Sequence, residues 1–204
     1  MALNFANNNS LSAITTKPSG LSGGALNLIS TQTASSSSTI SFTSGIDSTY
    51  DEYVFKFIDI HPDTVRKDFT FQADTGTNTS YNQTMTTTFF RAFHNEADTS
   101  ASLSYDGGRD QAQGSAFQQL LNEVSIDNDG NGCGVLQLFN PSSTTFVKHF
   151  IFRGSVSYNE GSAPAARDHY VAGYFNTTTA ITRVQFKMSG GNIDSGVIKL
   201  YGIS

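Results

Sequence analysis

A chain of 204 residues is long enough for one domain of ordinary to large size, or for one domain with an arm. The net charge is −5 with a pI near 5.2, and Lys and Arg nowhere cluster, which argues against nucleic acid as a direct partner because phosphate binding needs a basic face. Only 14% of residues are charged while 12% are aromatic, and Ser, Thr, Asn and Gly fill the rest, a mixture that suits strands and turns and disfavours long helices.

The single cysteine, Cys133, excludes an intrachain disulfide framework and a multi-thiolate metal site. No apolar run approaches the roughly 18 residues that span a bilayer. Residues 1–10 lack the basic-then-apolar pattern of a secretory signal, so synthesis in the cytoplasm is expected.

In chain order, residues 1–38 come first and read as an extended N-terminal arm. They carry Gly20, Gly23, Gly24 and a serine tract at residues 35–38, and their apolar residues follow neither helical nor strand period. Leu3, Phe5, Leu11, Ile14 and Leu21 are the candidate partner-binding pegs of that arm. Residues 39–204 form the candidate domain. Alternation of Tyr53, Phe55 and Phe57 with Val54, Lys56 and Ile58 predicts a strand over residues 53–60, closed by His61-Pro62. Residues 69–72 and 84–93 are the next strands, separated by the turn formers of residues 74–82.

One short helix is predicted near residues 112–122. Ala112, Ala116, Phe117, Leu120 and Leu121 make an apolar stripe at helical spacing, with Asp110 placed as an N-cap. Five further strands follow over residues 135–139, 146–154, 170–175, 181–188 and 197–203, with turn-forming clusters between them. The expected fold is therefore all-β, an antiparallel sandwich of jelly-roll-like type with one short helix and an extended arm.

Chemistry is sparse. Asp127-Asn128-Asp129-Gly130-Asn131-Gly132 matches the first half of a calcium loop, with Asp127, Asp129 and Asn131 as oxygen donors. The position that needs a bidentate carboxylate is Leu138, so a tight turn is the expected reading. His61, His94, His149 and His169 show no ligand spacing. No hydrolase elbow or nucleotide-binding glycine loop occurs, and acid pairs drawn from Asp106, Asp110 and Glu123 are no more than 17 acids offer by chance. No cofactor and no enzymatic activity are expected.

Four stretches carry a resemblance. They are Met1-Ala2-Leu3-Asn4-Phe5 running on to Ser10-Leu11-Ser12-Ala13-Ile14, Thr39-Ile40-Ser41-Phe42-Thr43-Ser44-Gly45-Ile46-Asp47, Leu138-Phe139-Asn140-Pro141-Ser142-Ser143 running on to His149-Phe150, and Val184-Gln185-Phe186-Lys187-Met188 with Ile198-Lys199-Leu200-Tyr201-Gly202-Ile203. Together they resemble a family of small virion structural proteins of tailed bacteriophages that infect marine and freshwater bacteria, including cyanobacteria. The resemblance implies a non-enzymatic structural role on the particle, as head decoration (cement) or as a tail-associated protein. It also implies major capsid or tail proteins as partners. The alternative is a tail-fibre or baseplate adhesin that binds a host surface glycan. A homo-oligomer is expected by analogy, homotrimers being common among such proteins.

Overall fold

The computed structural model describes residues 26–159 and 164–203. Twelve strands make two antiparallel sheets packed face to face as a sandwich. The strands are β1 (Leu26–Ser37), β2 (Ile40–Phe42), β3 (Glu52–Pro62), β4 (Lys67–Thr75), β5 (Met85–Asn95), β6 (Ala101–Tyr105), β7 (Gln118–Val124), β8 (Gly132–Phe139), β9 (Lys148–Tyr158), β10 (Ala165–Phe175), β11 (Ile181–Met188) and β12 (Ile193–Ile203). The large sheet has the order β1-β12-β3-β8-β9-β10-β5-β6 and the small one β2-β11-β4-β7. This eight-and-four division differs from the eight strands of a jelly roll.

The strands form where side-chain period matches a half-buried pleat. β9 alternates buried and exposed positions without a break from Lys148 to Tyr158, sending Phe150, Phe152 and Val156 inward. The two inner faces meet in an aromatic core centred on Phe186. Its ring lies 5.0 Å from Phe57, 5.3 Å from Phe55, 5.7 Å from Phe69, 6.2 Å from Phe42 and 6.4 Å from Phe71. Rings this large require backbone that approaches closely. A Cβ at Gly154 would stand 2.3 Å from Phe152 Cζ and 2.9 Å from the Cys133 carbonyl oxygen. The glycine is what lets Phe152 lie flat beneath its own strand.

The helix near residues 112–122 does not form; the described residues contain none. Residues 106–117 cross as a loop, and Gln118–Val124 is strand β7. Gln113 takes a left-handed φ of +55°, and Gly114 bridges to Met85 instead of propagating a helical turn. Asp110 accepts the Tyr105 hydroxyl and caps no helix. Leu120 and Leu121 are both buried because β7 is bulged, with Glu123 at φ +52°, and so presents consecutive side chains inward.

Part of the segment read as arm also belongs to the sheet. Leu26–Ser37 pairs antiparallel with β12, from Leu26 opposite Ile203 to Ser37 opposite Ile193, and forms the sheet edge.

Candidate functional site

The solvent face of the large sheet is the most developed surface of the molecule. One rung crosses all eight strands in register: Tyr105, Phe90, Tyr170, Arg153, Val135, Lys56, Lys199 and Thr31. Direct cross-strand neighbours on one face are close enough to interact. Phe90 and Tyr170 are stacked, with centroids 4.8 Å apart and planes 3° from parallel. Arg153 covers the other side of Tyr170 at 5.1 Å and donates to Asp168 Oδ2 at 2.8 Å. Hydrogen bonding to Asp168 raises the pKa of Arg153 and of Tyr170 alike. The result is a rigid ridge of stacked planes standing off the sheet.

Troughs lie on either side of this ridge because the adjacent rungs carry small residues. One, of about 620 Å³, is floored by Ala92, Ala166, Ser155, Cys133 and Gly134. The other, of about 480 Å³, is lined by Thr88, Ala172, Gly173, Ile151, Tyr174 and His149. His149 points outward opposite the Phe residues, as its place in the alternation predicts. Cys133 is exposed, and its Sγ accepts the Asp59 N–H at 3.4 Å.

Inside the sandwich, a polar layer joins β7 to β5 and β10, and sequence reasoning missed it. Asn122 Oδ1 accepts from Arg91 at 2.7 Å and from Arg167 at 3.1 Å, while its amide donates to Asp68 at 2.8 Å. Arg167 also donates to Glu123 at 2.7 Å, and Arg109 donates to Asp106 at 2.8 Å. Burial, and then the neighbouring Arg167, lowers the pKa of Arg91. Of the acids Asp106, Asp110 and Glu123, two are thus held as arginine partners and the third accepts a tyrosine hydroxyl. The signal available in the sequence was Arg167 and His169 at the inward parity of β10, on the same face as Val171. That parity is visible only once the strand's start at Ala165 is known.

The Asp127–Asn131 segment is a tied turn. The Gly130 N–H donates to the Asp127 carbonyl at 2.7 Å, the Asn159 amide donates to the Asp127 carboxylate, and Asn131 donates to Asp59 at 3.3 Å. Among the described residues, no three His, Cys, Asp or Glu side chains converge on a point that could hold a metal ion. Leu138 faces the core, 1% exposed. The arm residues Leu3, Phe5, Leu11, Ile14 and Leu21 lie outside the described residues.

The two ends of the sandwich differ in the number of acidic residues they carry. One end gathers Leu26, Ile203, Glu52, Phe139, Lys148, Phe175 and Met85. Its loops 76–84, 140–147 and 176–180 contain no charged residue, while the loop 43–51 that enters β3 there carries Asp47 and Asp51. The opposite end carries Asp63, Glu96, Asp98, Asp127, Asp129 and Asp194. At this end, Phe146 is 68% exposed on a loop braced from within. Fully buried Lys148 donates to the carbonyls of Phe146 at 2.9 Å and Thr177 at 3.1 Å, and burial lowers its pKa. Compared with protein-family models, curated proteins and solved structures, the chain finds no match.

Proposed function

We propose that this chain is a non-enzymatic structural component of a tailed-bacteriophage virion, exposed on the particle as a head-decoration or tail-associated protein. It docks on major capsid or tail proteins through its N-terminal arm and through sheet-face contacts. The observation that carries this reading is the polarity of the sandwich. The arm joins β1 at the end where loops 76–84, 140–147 and 176–180 carry no charge and lose little on desolvation, whereas six acidic residues gather at the far end against Asp47, Asp51 and Glu52 here. Interface cores are depleted in charge, and an acidic outward end keeps a densely packed protein soluble.

Quantitative mass spectrometry of purified particles tests this. Hundreds of copies per particle indicate head decoration, and a few to a few tens indicate a tail or baseplate position. Absence of the chain from the particle overturns the reading. Deleting residues 1–25 should leave the sandwich folded and abolish incorporation, and normal stoichiometry without them would remove the arm from the docking scheme.

The adhesin alternative draws on the same end, where Phe146 stands among Asn, Ser and Thr side chains able to hydrogen-bond a neutral sugar. Glycan-array binding that is lost in Phe146→Ser would favour it.

A further inference from the structure

Three buried nitrogens on neighbouring inward positions of β10 have no hydrogen-bond partner among the described residues. They are Nε of Arg167 and both ring nitrogens of His169. Arg167 is 7% exposed and His169 is fully buried. Buried polar groups are ordinarily hydrogen-bonded, and a neutral imidazole must still donate from one of its nitrogens. Two N–H donors are therefore buried here with nothing among the described residues to accept them.

The field around them is positive. Arg91 stands opposite His169 in the β10–β5 ladder, and Arg91 and Arg167 both donate to Asn122 Oδ1, at 2.7 and 3.1 Å. An amide oxygen in that place carries no charge to offset either guanidinium. The acids are engaged elsewhere. Glu123 of β7 takes Arg167 at 2.7 Å, and Asp106, in the loop after β6, takes Arg109 at 2.8 Å. Asp68 of β4 accepts the Asn122 amide at 2.8 Å and lies 3.9 Å from Arg109. Arg91 is left 4.0 Å from Asp106, which it shares with Arg109. On β9 the ladder partner of His169 is Gly154, and Asp168 is turned to the outer face, where it binds Arg153.

We propose that a single inorganic anion of halide size binds in this layer, accepting from Arg167 Nε and from a ring nitrogen of His169. Water would accept the same two bonds but would leave the positive field unopposed, so charge selects the anion. Size selects a small one, because Phe89 packs edge-on to the imidazole at 5.6 Å and interiors are close-packed. The layer reaches solvent at its margin, where the side chains of Arg91, Asp106 and Arg109 are 22–26% exposed. Binding of the ion also changes the imidazole. Burial and the same arginines oppose a proton on His169, and an anion beside the ring favours one. Arg91, Arg109 and Arg167 are already balanced by Asp68, Asp106 and Glu123, so anion and proton enter together without net charge, and each strengthens the other. This inference concerns the interior of the sandwich and is independent of the virion reading.

The test is urea unfolding of the full chain in sodium chloride, sodium bromide and sodium gluconate at equal ionic strength, at pH 7 and 5.5, gluconate being too large for the layer. The halides should stabilise the fold over gluconate by an increment that saturates with concentration. The apparent dissociation constant should fall by up to about tenfold per pH unit on acidification, the slope for one coupled proton. Arg167→Lys keeps the charge but loses the Nε donor, and His169→Leu removes the ring. Each should lose the increment and its pH dependence, with circular dichroism establishing that the variant is folded. Wild-type crystals grown in bromide should show anomalous scattering beside Arg167 Nε and His169, and this decides the matter if a variant fails to fold. A halide increment that persists in both folded variants, one that does not change with pH, or a water at the site with no bromide signal would each overturn the proposal.

Discussion

His169 stands directly opposite Arg91 in the β10–β5 ladder, yet neither of its ring nitrogens has a hydrogen-bond partner in the protein. The ring is fully buried and packs edge-on to Phe89 at 5.6 Å. Burial first, and then the positive charges of Arg167 and Arg91, push its pKa down to about 3.

That depression sets an acid limb of stability. The unfolded chain titrates this group at the ordinary value of 6.5, so below pH 6.5 the unfolded state binds the extra proton and the folded state does not. The contribution is fully present above pH 6.5 and is lost progressively as the pH falls toward 3. Each unit of depression corresponds to about 1.4 kcal/mol, so the loss by pH 4 is on the order of a few kcal/mol. Urea unfolding at pH 7, 5.5 and 4 should show it. His169→Leu should flatten the same series, and an unchanged acid limb in that variant would move the cause to other groups.

Arg167 is held between Glu123 at 2.7 Å and the Tyr158 ring, which its guanidinium covers at 3.4 Å. Removing one partner of a buried pair leaves the other charge stranded. Arg167→Ala is expected to cost about 3 kcal/mol, the lower end of such losses because Glu123 is partly in water. The double variant with Glu123→Gln should cost less than the sum of the two single changes, with a coupling of roughly 1 kcal/mol or more. Strict additivity in that cycle would show that the ion pair contributes nothing.

Phe186 touches rings from both sheets, so its loss opens a cavity at the centre of the sandwich. Phe186→Ala should destabilise by about 3–5 kcal/mol, and Phe186→Leu by less. Thermal melting would register roughly 2–4 °C per kcal/mol for a chain of this size. An Ala variant within about 1 kcal/mol of wild type would mean that the core collapses to refill the site.

Gly154 makes the opposite kind of prediction. Adding one methyl group there drives a Cβ against Phe152 and the Cys133 backbone, so Gly154→Ala should cost about 1–3 kcal/mol through overpacking. Pairing it with Phe152→Leu should recover part of the loss, and no recovery would place the clash on the Cys133 carbonyl oxygen and the Leu121 side chain.

What the sequence by itself determined is the all-β class and most of the large sheet. Ile181–Met188 forms β11 over the predicted span, the strands predicted at residues 53–60, 135–139 and 170–175 lie within the longer β3, β8 and β10, and that predicted at 84–93 becomes β5 shifted to Met85–Asn95. Alternation is legible wherever one face is dry and the other wet, because each side chain then reports its own side of the pleat. Tertiary structure alone decided the rest. Leu120 and Leu121 fit a helical stripe as well as a bulged strand, and only pairing with β4 selects the strand. Leu26–Ser37 lacks an apolar period of its own and becomes β1 because β12 supplies its hydrogen-bond partners. His169 could not be told from a surface histidine, since its burial depends on β7 crossing above it from the other sheet, a contact between residues far apart in the chain.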